Sequence, residues 1–430
     1  MLRKPAIAGR LSVAAMLTIA AVLSAAVAVG ATPGAPTSPQ APGRPDAATG
    51  AYIVVLEDSV LSPAVVAGQH AARFGADVGS VFSNALRAYT ADLTAGEAAN
   101  LSADPGVAWV EPDRVLHIAQ NPQTVPTGVG RIFAPGNPNI DIDGTDDARI
   151  DVDVAVIDTG IAEHGDLNVV SRATCALGIC MDGGSDLNGH GTHVAGTIGA
   201  IDNGIGVVGV APGARLHAVQ VCTPTGSCLT SAIIAGINYV TARAGTIEVA
   251  NVSLGGPGTS AAMDQAISNS VNAGVVYAVA AGNDDADAAG FTPASHPDVI
   301  TVSAVADSDG QPGGLGGSTA CRPSQDDVRA DFSNFGGTVE VAAPGVCILS
   351  TWNDGDYNTI SGTSMATPHV AGAAALLASG PRDPASRDDV LAIRQRIVDT
   401  GNFGWTDDSG DGVQEPLLDV GDPAQYPGPG

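Results

Sequence analysis

Val152-Asp153-Val154-Ala155-Val156-Ile157 runs straight into Asp158-Thr159-Gly160, and the fold class is read from this stretch. Its apolar residues do not alternate strictly with polar ones, as they would in a strand with one wet face. A near-continuous apolar run of this length fits a strand covered on both sides, the habit of parallel sheets. Similar runs recur at residues 215–221, 249–254, 275–280 and 299–305. Helical spacing fills the gaps at 229–242 and 263–273, and another helical stretch spans 387–398. Strands alternating with helices predict a doubly wound α/β layer fold. In such folds chemistry gathers at the carboxyl ends of strands, and Asp158 stands at one.

Two further stretches bear on that chemistry. His190 lies in Asn188-Gly189-His190-Gly191-Thr192-His193, and Ser364 lies in Ser361-Gly362-Thr363-Ser364-Met365-Ala366-Thr367-Pro368-His369. With Asp158 they supply a carboxylate, an imidazole and a hydroxyl in the order Asp, His, Ser. A serine hydroxyl is a poor nucleophile at neutral pH. It needs an imidazole to take its proton and a carboxylate to hold that imidazole in the right tautomer. The small residues after Ser364 suit a helix start packed tightly on the sheet, where backbone N–H groups can stabilise an oxyanion. Asn283, in Val279-Ala280-Ala281-Gly282-Asn283-Asp284, follows an apolar strand and can supply a second donor. The three stretches together read as a serine hydrolase.

The rest of the chain narrows the setting. It has 430 residues and a formal charge of -27, with Lys4 as its single lysine. That charge argues against nucleic acid or anionic membranes as partners, because like charges repel. Arg3, Lys4 and Arg10 precede an apolar run at residues 11–29, with small residues at Ala26, Ala28 and Ala31. This is the pattern of a cleaved signal peptide, assigned to residues 1–31, and it implies a secreted protein. Residues 32–50, rich in Pro, Gly, Ala and Thr, read as a flexible linker. Six cysteines fit an oxidising compartment. They allow 15 pairings, of which the short-range set Cys175–Cys180, Cys222–Cys228 and Cys321–Cys347 is the simplest. From Ala51 a strand-helix-strand-strand-helix-strand pattern runs to residue 110, predicting a small β-α-β-β-α-β unit.

The set Val156-Ile157-Asp158-Thr159-Gly160-Ile161, Gly189-His190-Gly191-Thr192-His193-Val194-Ala195-Gly196, Ala280-Ala281-Gly282-Asn283 and Gly362-Thr363-Ser364-Met365-Ala366-Thr367-Pro368-His369-Val370 resembles the subtilase family of serine endopeptidases. Subtilisin itself carries its triad in this order. The resemblance implies a three-layer α/β/α subtilisin-like domain with a mostly parallel sheet at residues 120–430, acting as a monomer on protein or peptide substrates without a catalytic cofactor. It makes Asp158 the orienter, His190 the general base and then acid, Ser364 the nucleophile and Asn283 the oxyanion donor. Ser253, Leu254 and Gly255 resemble the strand that pairs with extended substrate, with Ala280, Ala281 and Gly282 on the opposite wall. His193 and His369 are expected to be structural. Residues 51–119 are similar to the inhibitor-type propeptide, a small α+β ferredoxin-like unit that assists folding and then blocks the site, with self-cleavage near residues 117–121. A calcium site carries over onto Gln123, Asp166, Asn203 and the carbonyls of Ile201, Ile205 and Val207, an all-oxygen set suited to Ca²⁺. One departure is a residue fewer between Asp158 and Asp166, with Gly165 where proline is usual.

Three other readings compete. An aspartic protease would use Asp158 and the second Asp-Thr-Gly at Asp399, but would leave the histidine and serine stretches idle. An α/β-hydrolase orders its triad Ser, Asp, His, and the only histidine after Ser364 is His369, too close to serve. A catalytically inactive binding protein on the subtilase fold is the alternative from a different class. All the catalytic positions are intact, which favours a working enzyme.

Overall fold

The computed structural model describes residues 50–113, 122–319 and 321–426. The signal segment, all but the last residue of the linker, and the expected cleavage region lie outside the described residues. The chain divides into two compact units, residues 1–117 and 118–430.

In the first unit β1 (Gly50–Leu56), α1 (Pro63–Phe74), β2 (Asp77–Phe82), β3 (Ala88–Leu93), α2 (Ala95–Ser102) and β4 (Val107–Pro112) follow in the expected order. The antiparallel sheet runs β2-β3-β1-β4. Its core holds Val54, Leu56, Tyr89, Leu93 and Leu101. Local signals set the helix ends. Pro63 opens α1, and Gly75 closes it in the left-handed region. Thr94 and Glu97 form a reciprocal capping box on α2.

The second unit begins with α3 (Thr127–Arg131), β5 (Asp153–Asp158), β6 (Val169–Thr174), β7 (Met181–Asp182), α4 (His190–Gly199), β8 (Arg215–Gln220) and α5 (Thr230–Thr241). It continues with β9 (Val249–Val252), β10 (Gly256–Pro257), α6 (Ala261–Asn272), β11 (Val276–Ala280), β12 (Phe291–Thr292), β13 (Ile300–Ala306), β14 (Val328–Arg329) and β15 (Val341–Pro344). The hairpin of β16 (Ile348–Thr351) and β17 (Tyr357–Ile360) leads into α7 (Thr363–Ala378) and α8 (Arg387–Thr400). Nine strands form the main sheet, in the order β14-β13-β11-β9-β5-β8-β6-β7 with β15 also on β13. All its pairings are parallel except β6–β7 and β13–β14. Strand β5 is buried along its whole length, as its apolar run requires. Its neighbours are β8 on one side and β9 on the other, so the chain order reverses at β5. Asp158 therefore ends the strand at a topological switch point.

Helix α4 packs against α7 and α5 against α6, and α8 touches both α7 and α6. In α7 every residue but Ser364 is buried, the mark of a helix enclosed by core, and its Ala and Gly residues let it lie close to β9, β11, β13 and β15.

The structure departs from the sequence reading in two respects. Strand β6, of sequence Val-Val-Ser-Arg-Ala-Thr, the four-residue β15, β16 and β17 and the two-residue β7, β10, β12 and β14 went unrecognised, because short runs with mixed polarity carry little periodic signal. The strand expected through Leu254 ends at Val252, since residues 253–255 leave the sheet to line a cleft. The cysteines pair as Cys175–Cys180, Cys222–Cys228 and Cys321–Cys347.

Candidate active site

A cleft of about 550 Å³ gathers Asp158, His190, Ser364, Asn283, Ser253, Leu254, Gly255, Ala280 and Gly282. Ala281 is not among its lining residues. It is buried, its N–H donates to Val302 O, and its carbonyl accepts from Asn334.

Asp158 is 1% exposed. Its Oδ1 accepts from His190 Nδ1 at 2.8 Å and from the Thr159 N–H at 2.7 Å. His190 opens α4, and the close approach of this helix to β5 depends on Gly191, where a Cβ would meet Gly160 O at 2.2 Å. Burial pulls the His190 pKa down, but the charge and hydrogen bond of Asp158, with Asp186 behind them, raise it above its ordinary value. His193 and His369 are buried, with pKa values lowered by burial to about 3 and about 4. They bond to backbone carbonyls and take no part in the cleft.

Ser364 is the second residue of α7 and partly exposed. Its Oγ donates to Ser253 O at 3.0 Å, and Ser253 Oγ donates in return to Ser364 O at 2.9 Å. The second bond has a local cause. Pro368 lies four residues on in the helix and has no N–H to give Ser364 O, so the Ser253 hydroxyl takes that place. Among the described residues Ser364 Oγ makes no hydrogen bond to His190.

Asn283 Oδ1 accepts from Thr363 N at 2.8 Å and from Thr363 Oγ1 at 3.0 Å. A backbone N–H can only donate, so the amide oxygen must face Thr363, leaving Nδ2 available to the cleft. Two positioning residues were missed by the sequence reading. Asn334 accepts from Asp284 N and Ala286 N and donates to Ala281 O, bracing the loop that carries Asn283. Asp186, 3% exposed, accepts from Thr159 Oγ1, Asn188 N, Gly189 N, Thr192 N and Thr192 Oγ1, tying the end of β5 to the start of α4. Asn334 leaves no motif to read because its partners lie some 50 residues away, and of the Asp186 bonds the one to Thr159 is likewise hidden by a separation of 27 residues.

A second hydrogen-bonded line of Asp, His and Ser shows why contact alone does not make a site. Asp153 Oδ1 bonds His217 Nε2 at 2.6 Å, and His217 Nδ1 bonds Ser171 Oγ at 2.7 Å. None of the three lines the cleft, and Asp153 is shared with Arg215. Asp399 is also remote from the cleft, exposed at the end of α8, where it accepts from Gln395.

The residues expected to hold calcium come together. Asp166 is 0% exposed, accepts from Asn203 Nδ2, Val207 N and Tyr357 OH, and is pushed up to about 6 by burial. Gln123 Oε1 accepts from the N–H groups of Asn203 and Gly204, and its Nε2 donates to Asp202, a buried carboxylate absent from the expected set. Asn203 Oδ1 accepts from Ile205 N. Ile201 and Val207 reach the same residues through their N–H groups, Ile201 donating to Asp166 O and Val207 to Asp166 Oδ2, and Ile205 lies between them in the loop.

Comparison with known proteins places these features in context. The profile described as Subtilase family matches residues 150–417, and Peptidase inhibitor I9 matches residues 51–119. Subtilisin E of Bacillus subtilis (strain 168) is 42% identical over 325 residues, covering 74% of this chain and 76% of that protein. An alkaline protease of Alkalihalobacillus alcalophilus is 37% identical over 314 residues, covering 73% of this chain and 74% of that one. The solved structure of a cold adapted subtilisin-like serine proteinase aligns with a TM-score of 0.54 at 35% identity, covering 68% of this chain and 97% of its own.

Proposed function

The chain belongs to the subtilase family and is a subtilisin-like serine protease with an inhibitor-type propeptide domain, and from that premise we propose that it is a secreted, self-processing endopeptidase in which Asp158, His190, Ser364 and Asn283 carry the chemistry. The observation that supports this most is the Asp158–His190 bond inside a cleft that also holds Ser364 and Asn283. Substrate binding turns the Ser364 hydroxyl from Ser253 O toward His190 Nε2. His190 takes the proton as Oγ attacks the scissile carbonyl, and Asp158 stabilises the imidazolium. The developing oxyanion takes hydrogen bonds from Asn283 Nδ2 and from the N–H of Ser364, one of the orphan donors of the first turn of α7. His190 then returns the proton to the leaving amine, giving an acyl-enzyme that water hydrolyses.

Extended substrate lies between residues 253–255 and the wall formed by Ala280 and Gly282, with Ala281 supporting that wall from behind. The unit at residues 51–119 acts as intramolecular inhibitor until it is removed. Among the described residues no helix is long and apolar enough to cross a membrane. An organophosphorus active-site reagent tests the reading. It should modify the mature chain once, with the adduct mapping to Ser364 by mass spectrometry. An unlabelled chain would favour the inactive binding protein.

Because the base must be neutral, activity should follow the His190 titration. The raised pKa means that kcat/KM is low at pH 6 and rises through a midpoint above the ordinary histidine value of about 6.5. Asp186→Asn removes one raising influence and should move that midpoint down, read from the pH profile of kcat/KM. A midpoint unmoved, or moved up, would count against the charge of Asp186 acting on His190.

No catalytic cofactor is required by this chemistry. The calcium reading extends the same proposal. Gln123, Asp166, Asn203 and the carbonyls of Ile201, Ile205 and Val207 are oxygen donors, and Asp166 is buried with no cationic side chain bonded to it among the described residues. That uncompensated carboxylate fits a bound Ca²⁺, whose role would be to tie the loop after α4 to the segment before α3. EDTA should lower the Tm of the mature chain, and Asp166→Asn should abolish that sensitivity. A Tm indifferent to chelator would remove the assignment.

A further inference from the structure

We infer that the disulfide Cys222–Cys228 is a substrate-positioning device, holding one wall of the cleft in a preformed shape for the main chain of extended peptides. This rests on the endopeptidase reading above.

Three observations carry it. First, the bridge closes a loop with a sequence separation of 6, and its residues Cys222, Gly226 and Cys228 line the same cleft as Asp158, His190 and Ser364. Thr230 and Ile233, at the start of α5, continue that wall. Second, no core packing orders the tip of the loop, which is held by the bridge and by local turn bonds, among them Ser227 N and Thr225 Oγ1 to Thr223 Oγ1. Residues 223–227 are exposed. Their bonds are those of a turn, with Thr223 N donating to Ser227 O and Gly226 N to Thr223 O. The loop buries no core side chain between its cysteines. Third, the loop is anchored to the reacting groups at both sides. The N–H groups of Val221 and Cys222 donate to Asp158 O. Asn188 donates Nδ2 to Pro224 O while its Oδ1 accepts the His190 N–H.

An exposed turn without side-chain packing samples many conformations, and a peptide that pairs with it must pay for its ordering on binding. The bridge removes those conformations beforehand. Its loss should therefore weaken the binding of substrates long enough to reach residues 226–228 more than that of short ones. Sequence could pair the cysteines but could not place the loop beside the nucleophile.

The test compares wild type with Cys222→Ser/Cys228→Ser on two substrates, a tetrapeptide amide and an ester of a single blocked amino acid. Kinetics on the mature enzymes should show KM for the tetrapeptide rising about tenfold, the cost of ordering a few loop residues, and the tetrapeptide-to-ester ratio of kcat/KM falling by about the same factor. Cys175→Ser/Cys180→Ser, outside the cleft, should leave the ratio of the two substrates at its wild-type value. Should the double variant fail to mature, the same assay is run on mature wild type under graded dithiothreitol, with alkylation and mass mapping to identify the reduced bridge. A ratio unchanged when Cys222–Cys228 is open overturns the inference. An equal loss on both substrates also overturns it, because the bridge would then serve Asp158 and His190 and not the peptide. Wild type inactive on both substrates would instead overturn the endopeptidase reading on which it rests.

Discussion

Ser364→Ala is expected to lose about 10⁶ in kcat, the scale of loss that removal of the nucleophile brings in subtilisin. The fold should tolerate the change. Ser364 Oγ makes one hydrogen bond, to Ser253 O, from a partly exposed position, and alanine is the best helix former for the first turn of α7. The reciprocal bond from Ser253 Oγ to Ser364 O uses backbone and survives. The cleft, Asn283 and the Asp158–His190 pair also survive, so peptide binding should change little and the loss should appear in turnover. Asn283→Ala makes the contrast. It removes one oxyanion donor while leaving nucleophile and base, and should lose about 10² to 10³, as that donor does in subtilisin. Mass spectrometry of the secreted chains supplies a second readout. Wild type should begin near residues 118–124, and Ser364→Ala should keep residues 51–116 attached. Near-normal turnover by purified Ser364→Ala would end the assignment of the nucleophile. Identical maturation of both chains would assign the cut to another protease.

Asp158→Asn is expected to lose about 10⁴ in kcat, the cost of presenting the wrong tautomer to a catalytic imidazole. The side chain keeps its shape, and the backbone carbonyl of Asp158 still accepts from Val221 and Cys222, so β5 should remain in place. What changes is the group facing His190 Nδ1 at 2.8 Å. An amide NH₂ there turns the ring's proton to Nε2, where the Ser364 proton must arrive. Asp153→Asn is the matched control, because Asp153 also bonds a histidine that bonds a serine. It breaks a buried contact with Arg215 and His217 and should lower Tm with kcat near wild type. Equal kcat losses in the two variants would mean that Asp158 acts only by holding the fold.

Much of the fold was legible because it rests on local pattern. Buried parallel strands favour near-continuous apolar runs, and β5, β9, β11 and β13 come near to them, while β8 is interrupted by Arg215, His217 and Gln220. Helix ends need capping chemistry, and Pro63, Gly75, Thr94 and Glu97 provide it. What stayed hidden were elements whose identity comes from their neighbours. Strand β6 is half polar and is a strand because β8 pairs with it. The run through Leu254 reads as continuous strand, yet it leaves the sheet after Val252 and turns its last residues to the cleft.

The fold class was readable from the chain alone, as were the three groups of the proposed triad and the proposed donor Asn283, because each sits in a short stretch whose glycines and small residues serve the backbone around it. Tertiary structure alone decided how those groups are held. Asp186 joins Thr159 to Thr192, Asn334 braces the loop of Asn283, and Ser253 completes the carbonyl that Pro368 leaves unpaired. It also decided that Ala281 supports the wall without lining it, and that the Cys222–Cys228 loop does line it. The reason is physical. A hydrogen bond between residues far apart in the chain depends on distance and direction in space, and sequence spacing carries neither.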